Sequence, residues 1–218
     1  MGANPHSRQV DPALAVSFSN LALGRRSIRR YQPTPVAREL VNSLLETAVT
    51  AASAHNRQPW RFLVIETQAA KEKLARAMGE RLRADRSRDG DPAHAIDADV
   101  ARSYARFTGA PLIIAICMSM IDMDRYADDK RNQAERLMAA QGTAMAAQNL
   151  LLATHAAGLA ACWMCAPLFC PDTVATALAL PADWEPQALV TLGYPADQGK
   201  PYRRRPVHEV TRYEKDEA

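Results

Sequence analysis

Two short stretches concentrate the residue types that do chemistry. Ser53-Ala-His-Asn-Arg-Gln-Pro-Trp60 places two amides, an imidazole, a guanidinium and a hydroxyl within eight residues, and Pro59 drives Gln58 out of helical geometry. A connector that only reversed the chain would need glycine or a simple Asn/Asp turn. This one is loaded with donors and suits a polar, planar ligand. Arg25-Arg-Ser-Ile-Arg-Arg-Tyr31 carries four arginines and a serine. In isolation such a cluster is a solvated basic turn, but guanidinium forks beside a hydroxyl also suit a phosphate dianion. A second basic run, Lys200-Pro-Tyr-Arg-Arg-Arg-Pro206, lies towards the other end of the chain.

Other chemistries fit less well. Cys162-Trp-Met-Cys165 has the spacing of a redox dithiol, but it falls in a strand-like run, where alternation sends positions 162 and 165 to opposite faces. Zinc would need a second well-spaced ligand pair beside Cys162, Cys165 and Cys170, and His155 sits inside a helical pattern as a core histidine. Neither a Gly-x-Gly-x-x-Gly nor a Walker-type loop occurs. Ser53 and His55 lack an oxyanion hole and an orienting acid. With no acid, base, nucleophile or metal set, the chain reads as one that binds a phosphorylated planar cofactor and leaves the chemistry to it.

The elements that must position these stretches follow from periodicity. Asp11-Pro12 caps a helix through Leu23, which Gly24 ends. Val36 to Ala52 has one apolar helical face, opened by Thr34-Pro35. Trp60 to Ile65 is a strand, Lys71 to Arg88 a helix, and Leu112 to Met118 a strand buried on both faces. Between them, Asp89 to Asp97 reads as a loop or lid followed by a helix from about Ile96 to Phe107, a mobile insertion spanning about 80–107. Asn132 to Ala157 is the longest helix, with a stripe of Leu137, Gln141, Ala144, Met145, Gln148, Leu151, Leu152 and His155, and small residues over much of the rest. Helices can approach such a surface closely on several sides, as in a buried central helix or a dimer interface. Leu159 to Cys165 and Gln187 to Leu192 are strands, Pro171 to Leu180 is a helix, and Val207 to Tyr213 is a further candidate strand. Strands with unevenly inserted helices and no repeat give an α+β fold.

Composition sets the frame. The 218 residues suit one domain from residue 11 onward behind a disordered lead over 1–10. A hydrophobic fraction of 48% and a charged fraction of 23% are those of a globular protein. A net charge of +3 is too mild to imply nucleic acid. No run spans a bilayer and the N-terminus lacks a signal core, so the expected address is cytoplasmic, with the four cysteines reduced.

In order and spacing, Arg25-Arg-Ser-Ile-Arg29 after a leading helix, Ser53 to Trp60, Gly158-Leu-Ala-Ala-Cys-Trp-Met164, and Leu192-Gly-Tyr-Pro195 with a basic tail resemble the FMN-dependent nitroreductase family. The wording of the Ser53 loop, with Cys162 to Cys170, is similar to one branch: the C-terminal domain of coenzyme F-420:γ-glutamyl ligase and its free-standing relatives. The resemblance implies a three-layer α+β fold with a mixed central sheet flanked by helices, and a homodimer around the long central helix with FMN at the interface. It implies that Arg25, Arg26, Ser27 and Arg29 hold phosphate and ribityl chain. Ser53, Asn56 and Gln58 would meet the ribityl and ring edge, Trp163 and Met164 would face the ring, and Arg204 with Arg203 would complete the phosphate site. It further implies hydride transfer through flavin N5, from NAD(P)H or a reduced deazaflavin, to a deazaflavin-pathway substrate or to nitro and quinone compounds. A flavin-binding module without turnover is the alternative.

Overall fold

The computed structural model describes residues 11–214; the expected lead over 1–10 lies outside them. At its centre is a four-stranded sheet built from β1 (Trp60–Ile65), β2 (Leu112–Met118), β3 (Ala160–Met164) and β4 (Glu185–Gly193), in the order β1-β2-β4-β3. All seven residues of β2 are buried, as its continuous apolar run requires. Its side chains alternate: Leu112, Ile114 and Ile116 enter one core, and Ile113, Ala115 and Cys117 the other.

Helices cover both faces. The first core is closed by α2 (Arg38–Ala48), through Val41, Leu44 and Ala48, and by α5 (Asp129–Ala156), through Ala147, Leu150 and Leu151. The second is closed by α3 (Gln68–Arg88), by Phe107 of α4 (Ala93–Thr108) and by Val174 and Ala177 of α6 (Pro171–Leu178). The leading helix, α1 (Pro12–Gly24), is capped by the Asp11 carboxylate and buries none of its residues. The three layers are as expected, but the sheet is not mixed. Each neighbouring pair of strands is antiparallel, and among the described residues the parallel pairing is one bridge, Ser27 to Ala161. The physical reason is the crossover: α5 carries the chain back so that β2 and β3 run the same way, but β4 is inserted between them.

Three further expectations differ. The stretch assigned to a mobile loop is, from Ala93 on, the first turn of α4, and α3 and α4 form a helical hairpin anchored in the core by Phe107 and Ile96. The sequence hid this because Asp89 to Asp97 is polar; Asp91 and Asp97 pair with Arg86 and Arg83 of the facing helix. On α5, the apolar stripe is turned outward over Leu137 to Gln148, with Leu137 59% and Met145 45% exposed, and enters the core only at Leu151. What faces the core instead is the small series Ala139, Gly142, Ala146 and Ala147, because close approach, not bulk, decides that contact: a Cβ on Gly142 would stand 3.4 Å from both Ser53 and Pro59 side-chain carbons. Lastly, residues 207–213 form no strand. They contain α7 (Val207–Val210), fully exposed and without a sheet edge to pair with.

Candidate active site: a cationic edge beside strand β3

The arginine-rich segment becomes an extra, irregular edge of the sheet. Ser27 bridges Ala161, and the Ile28 amide donates to the Ala161 carbonyl at 3.3 Å. Further along, Gln32 N donates to Tyr194 O at 2.8 Å and Ala196 N to Arg30 O at 3.0 Å, so the segment is stitched to β3 on one side and to the exit of β4 on the other. Tyr31 pins it: its hydroxyl lies 2.7 Å from Ile28 O, 3.0 Å from Thr191 O and 2.8 Å from Thr191 Oγ1. Burial pushes this phenol far above its ordinary pKa, so Tyr31 is a neutral hydrogen-bonding anchor.

Two cavities beside the segment divide its arginines. Ser27 and Arg29 open onto a cavity of about 660 Å³ shared with Arg30, Arg102, Arg106 and Lys200, in which Asp197 is the one carboxylate. Arg26 faces the other way. Its Nη1 donates to the carbonyls of Leu23, Gly24 and Arg25, closing the C-terminus of α1, and its guanidinium stacks 4.2 Å from the centre of the Tyr202 ring. The Arg204 guanidinium also stacks on that ring at 4.2 Å, and Tyr202 Oη donates to Leu23 O at 2.9 Å. Gly199, at φ +72°, makes this docking possible: a Cβ there would stand 2.9 Å from Arg26 Cβ. Thus the basic tail is laid against the arginine edge through Arg26, Tyr202 and Arg204, while Arg203 is exposed. Arg25 is half-buried and lines a second cavity of about 260 Å³ with Arg26 and His155. There His155 is held below its ordinary pKa, first by burial and then by the positive charge of Arg25 and Arg26.

Cys162 and Cys165 do not share a strand, because β3 ends at Met164. Cys162 is buried in β3, while Cys165 lies exposed beyond the strand end, accepting from Trp163 Nε1 at 2.8 Å. Burial raises the Cys162 thiol, with Arg29, Arg106 and Arg25 opposing that shift, and pushes Cys117 up to about 12. The site therefore offers concentrated positive charge and main-chain groups of β3 at Trp163 and Met164, not a thiolate nucleophile.

The donor-rich loop is elsewhere in the chain. Its residues 54–56 form a 3-10 turn, and His55, Asn56 and Gln58 all have positive φ, near +50°. Left-handed geometry at three non-glycine positions costs on the order of 1 kcal/mol each and is held here by Gln58 N donating to Ser53 Oγ at 3.0 Å, by the Arg57–Asp124 ion pair and by packing on Gly142. The turn exposes the Asn56 and Gln58 side chains. It precedes Trp60, which pairs with Met118, which pairs with Glu185; Ser27 instead sits at Ala161, beside Leu192. Loop and arginine edge thus occupy diagonal corners of the sheet, roughly 20 Å apart counting strand spacings alone. One chain sets Ser27 and Arg29 on one cavity, Arg25 and Arg26 on a second, and Arg204 against Tyr202, with Trp163 and Met164 further along β3; it does not bring Ser53, Asn56 and Gln58 to them. Sequence reasoning missed Arg102 and Arg106 in the cavity, and gave Lys200 only as the start of the basic tail. The one available signal was the i,i+4 spacing of Arg102 and Arg106 on a helix.

The chain is similar to known proteins along most of its length. Along 213 aligned residues the chain is 30% identical to an NADH dehydrogenase of Thermus thermophilus, covering 87% of this chain and 92% of that one. It is 27% identical over 206 residues to a 5,6-dimethylbenzimidazole synthase of Rhodospirillum rubrum, covering 93% and 90%. A protein of Desulfovibrio desulfuricans described as a nitroreductase, and solved in complex with FMN, superposes with a TM-score of 0.68 at 29% identity, covering 95% of this chain and 99% of that one. Residues 22–194 match the model of the nitroreductase family, a span that takes in the arginine edge, the donor-rich loop and all four strands, and the chain belongs to that family.

Proposed function

We propose that this protein is a homodimeric, FMN-dependent oxidoreductase that passes electrons from NAD(P)H to small nitro or quinone acceptors. The carrying observation is the cationic edge: Ser27 and Ile28 are held on β3 by backbone pairing, Arg25 and Arg29 flank them, and among the described residues Arg25 and Arg29 have no carboxylate partner. Unpaired guanidiniums beside a hydroxyl fit a phosphate monoester. Arg25, Ser27 and Arg29 would take the phosphate and ribityl oxygens, with Arg203 and Arg204 of the tail closing the site and Arg26 holding the tail in place. The main chain at Trp163 and Met164 would border the ring. Bound FMN would supply the hydride-accepting centre at N5, which is why the chain needs no acid–base pair of its own.

The dimer follows from the same geometry. Ser53, Asn56 and Gln58 can complete this site only from a second copy, and the outward stripe of α5 with Leu14, Val16 and Phe18 of α1 is the apolar surface over which two copies would meet. A deazaflavin donor or acceptor is a second reading, supported by the wording of the Ser53 loop and the Cys162 to Cys170 run. The test is an absorbance spectrum of the purified protein, followed by anaerobic addition of NADH, NADPH or reduced deazaflavin. Oxidised-flavin bands that bleach with a nicotinamide support the main reading, and bleaching by deazaflavin alone selects the second. Flavin that no donor bleaches would mean a binding module without turnover.

A further inference from the structure

We propose that Arg106, flanked by Arg102, Arg30 and Lys200, forms a second anion subsite in the 660 Å³ cavity, taking a phosphate monoester carried by the second substrate. The proposal rests on the oxidoreductase reading for its biological use, but not for the binding it predicts. Arg102 and Arg106 lie one helical turn apart on α4, so both face the cavity that Ser27 and Arg29 open from the opposite wall. Their settings differ. Arg102 is tethered by an ion pair to Asp99, which also holds Arg86 of α3, so the hairpin fixes that guanidinium in place. Arg106 is half-buried and, among the described residues, makes no hydrogen bond or ion pair. A cation in the last turn of a helix complements the C-terminal dipole, but that accounts for a charge anywhere around the turn. It does not account for a half-buried guanidinium turned to a cavity that already holds Arg29, Arg30 and Lys200.

Of the five cations lining the cavity Arg102 is paired with Asp99, and the mutual repulsion of the other four around Asp197 is relieved by an anion. The motif arginines serve the phosphate of the flavin, and Arg106 with its neighbours serves a second. The ligand is a phosphate dianion, present either on the 2′-phosphate of the nicotinamide donor or on a phosphorylated acceptor.

The experiment uses the FMN-loaded protein with Arg106→Ala, Arg106→Lys and Arg102→Ala. NADPH and NADH are compared as donors with an uncharged quinone, then acceptors with and without a phosphate are compared, and inorganic phosphate is added as inhibitor. The expected result is a rise in KM on the order of tenfold for the phosphorylated partner in Arg106→Ala, partial recovery in Arg106→Lys, loss of competitive inhibition by phosphate, and unchanged FMN content. Loss of FMN from Arg106→Ala would overturn the proposal by assigning α4 to the cofactor. So would equal KM values and equal phosphate inhibition across the variants. Should the protein take up no flavin at all, the oxidoreductase reading falls separately, and calorimetric binding of inorganic phosphate to the wild type and Arg106→Ala still decides the subsite.

Discussion

Two regions of this molecule are equally rich in arginine and opposite in use. On the α3–α4 hairpin, Arg81 pairs with Asp85 and Asp172, Arg83 with Asp97, Arg86 with Asp91 and Asp99, and Arg88 with Asp85. On the edge beside β3, Arg25, Arg29 and Arg30 have no such partner among the described residues, and the charge of Arg106 adds to theirs. The first set is neutralised by its own fold; the second is left to meet an anion. Arginine density alone says nothing about binding. The position of the aspartates does: Asp85 lies on the same helix, four residues from Arg81, while Asp97 lies on the facing helix, 14 residues from Arg83.

The comparison is broken most severely at the edge. Arg25→Ala with Arg29→Ala removes two charge-assisted donors, each of about 1.5–3 kcal/mol, so FMN affinity should fall a hundredfold or more while the melting temperature stays close to wild type. Fluorescence titration with FMN checks it. The hairpin should depend instead on its apolar anchor. Phe107 is 3% exposed, and Phe107→Ala should cost about 3–5 kcal/mol in denaturant unfolding, more than any ion pair nearby. Next comes the proposed dimer: Leu137→Glu with Met145→Glu, both on the outward stripe of α5, should yield monomers in sedimentation that fold normally and retain little FMN. Smaller still, Arg86→Ala should cost about 1 kcal/mol, decreasing with added salt, and leave FMN binding unchanged.

The smallest expected effect is one of pH. His155 has a folded-state pKa below its ordinary 6.5, so its contribution to stability is present above that value and is lost as pH falls through it. His155→Gln should flatten the corresponding part of a stability–pH curve. Bound phosphate beside Arg25 should also reduce the slope, because an anion offsets the two guanidiniums that disfavour the imidazolium.

Local signals were legible in the sequence where one element decides its own surroundings. The β2 run was visible because both of its faces are buried, and α1 because Asp11 caps it. The arginine and Ser53 stretches stood out because their polarity has no use in a core. Tertiary pairing was not legible. The apolar stripe of α5 looks like a core face, yet the core takes Gly142 and the alanines, since contact distance is set by the partner surface. Arg26 belongs by motif to the phosphate group, but its position at the end of α1 makes it a helix cap and a seat for Tyr202. Arg106 carries no motif at all and becomes visible only when α4 is folded against the edge.

The most direct test of the account is an FMN titration run in parallel on the wild type, on Arg25→Ala/Arg29→Ala and on Arg83→Ala/Arg88→Ala, at matched thermal stability. The account predicts tight, saturable uptake of one FMN per chain by the wild type and by the hairpin variant, and at least a hundredfold weaker binding by the edge variant. Equal binding by all three, or weakening confined to the hairpin variant, would contradict it.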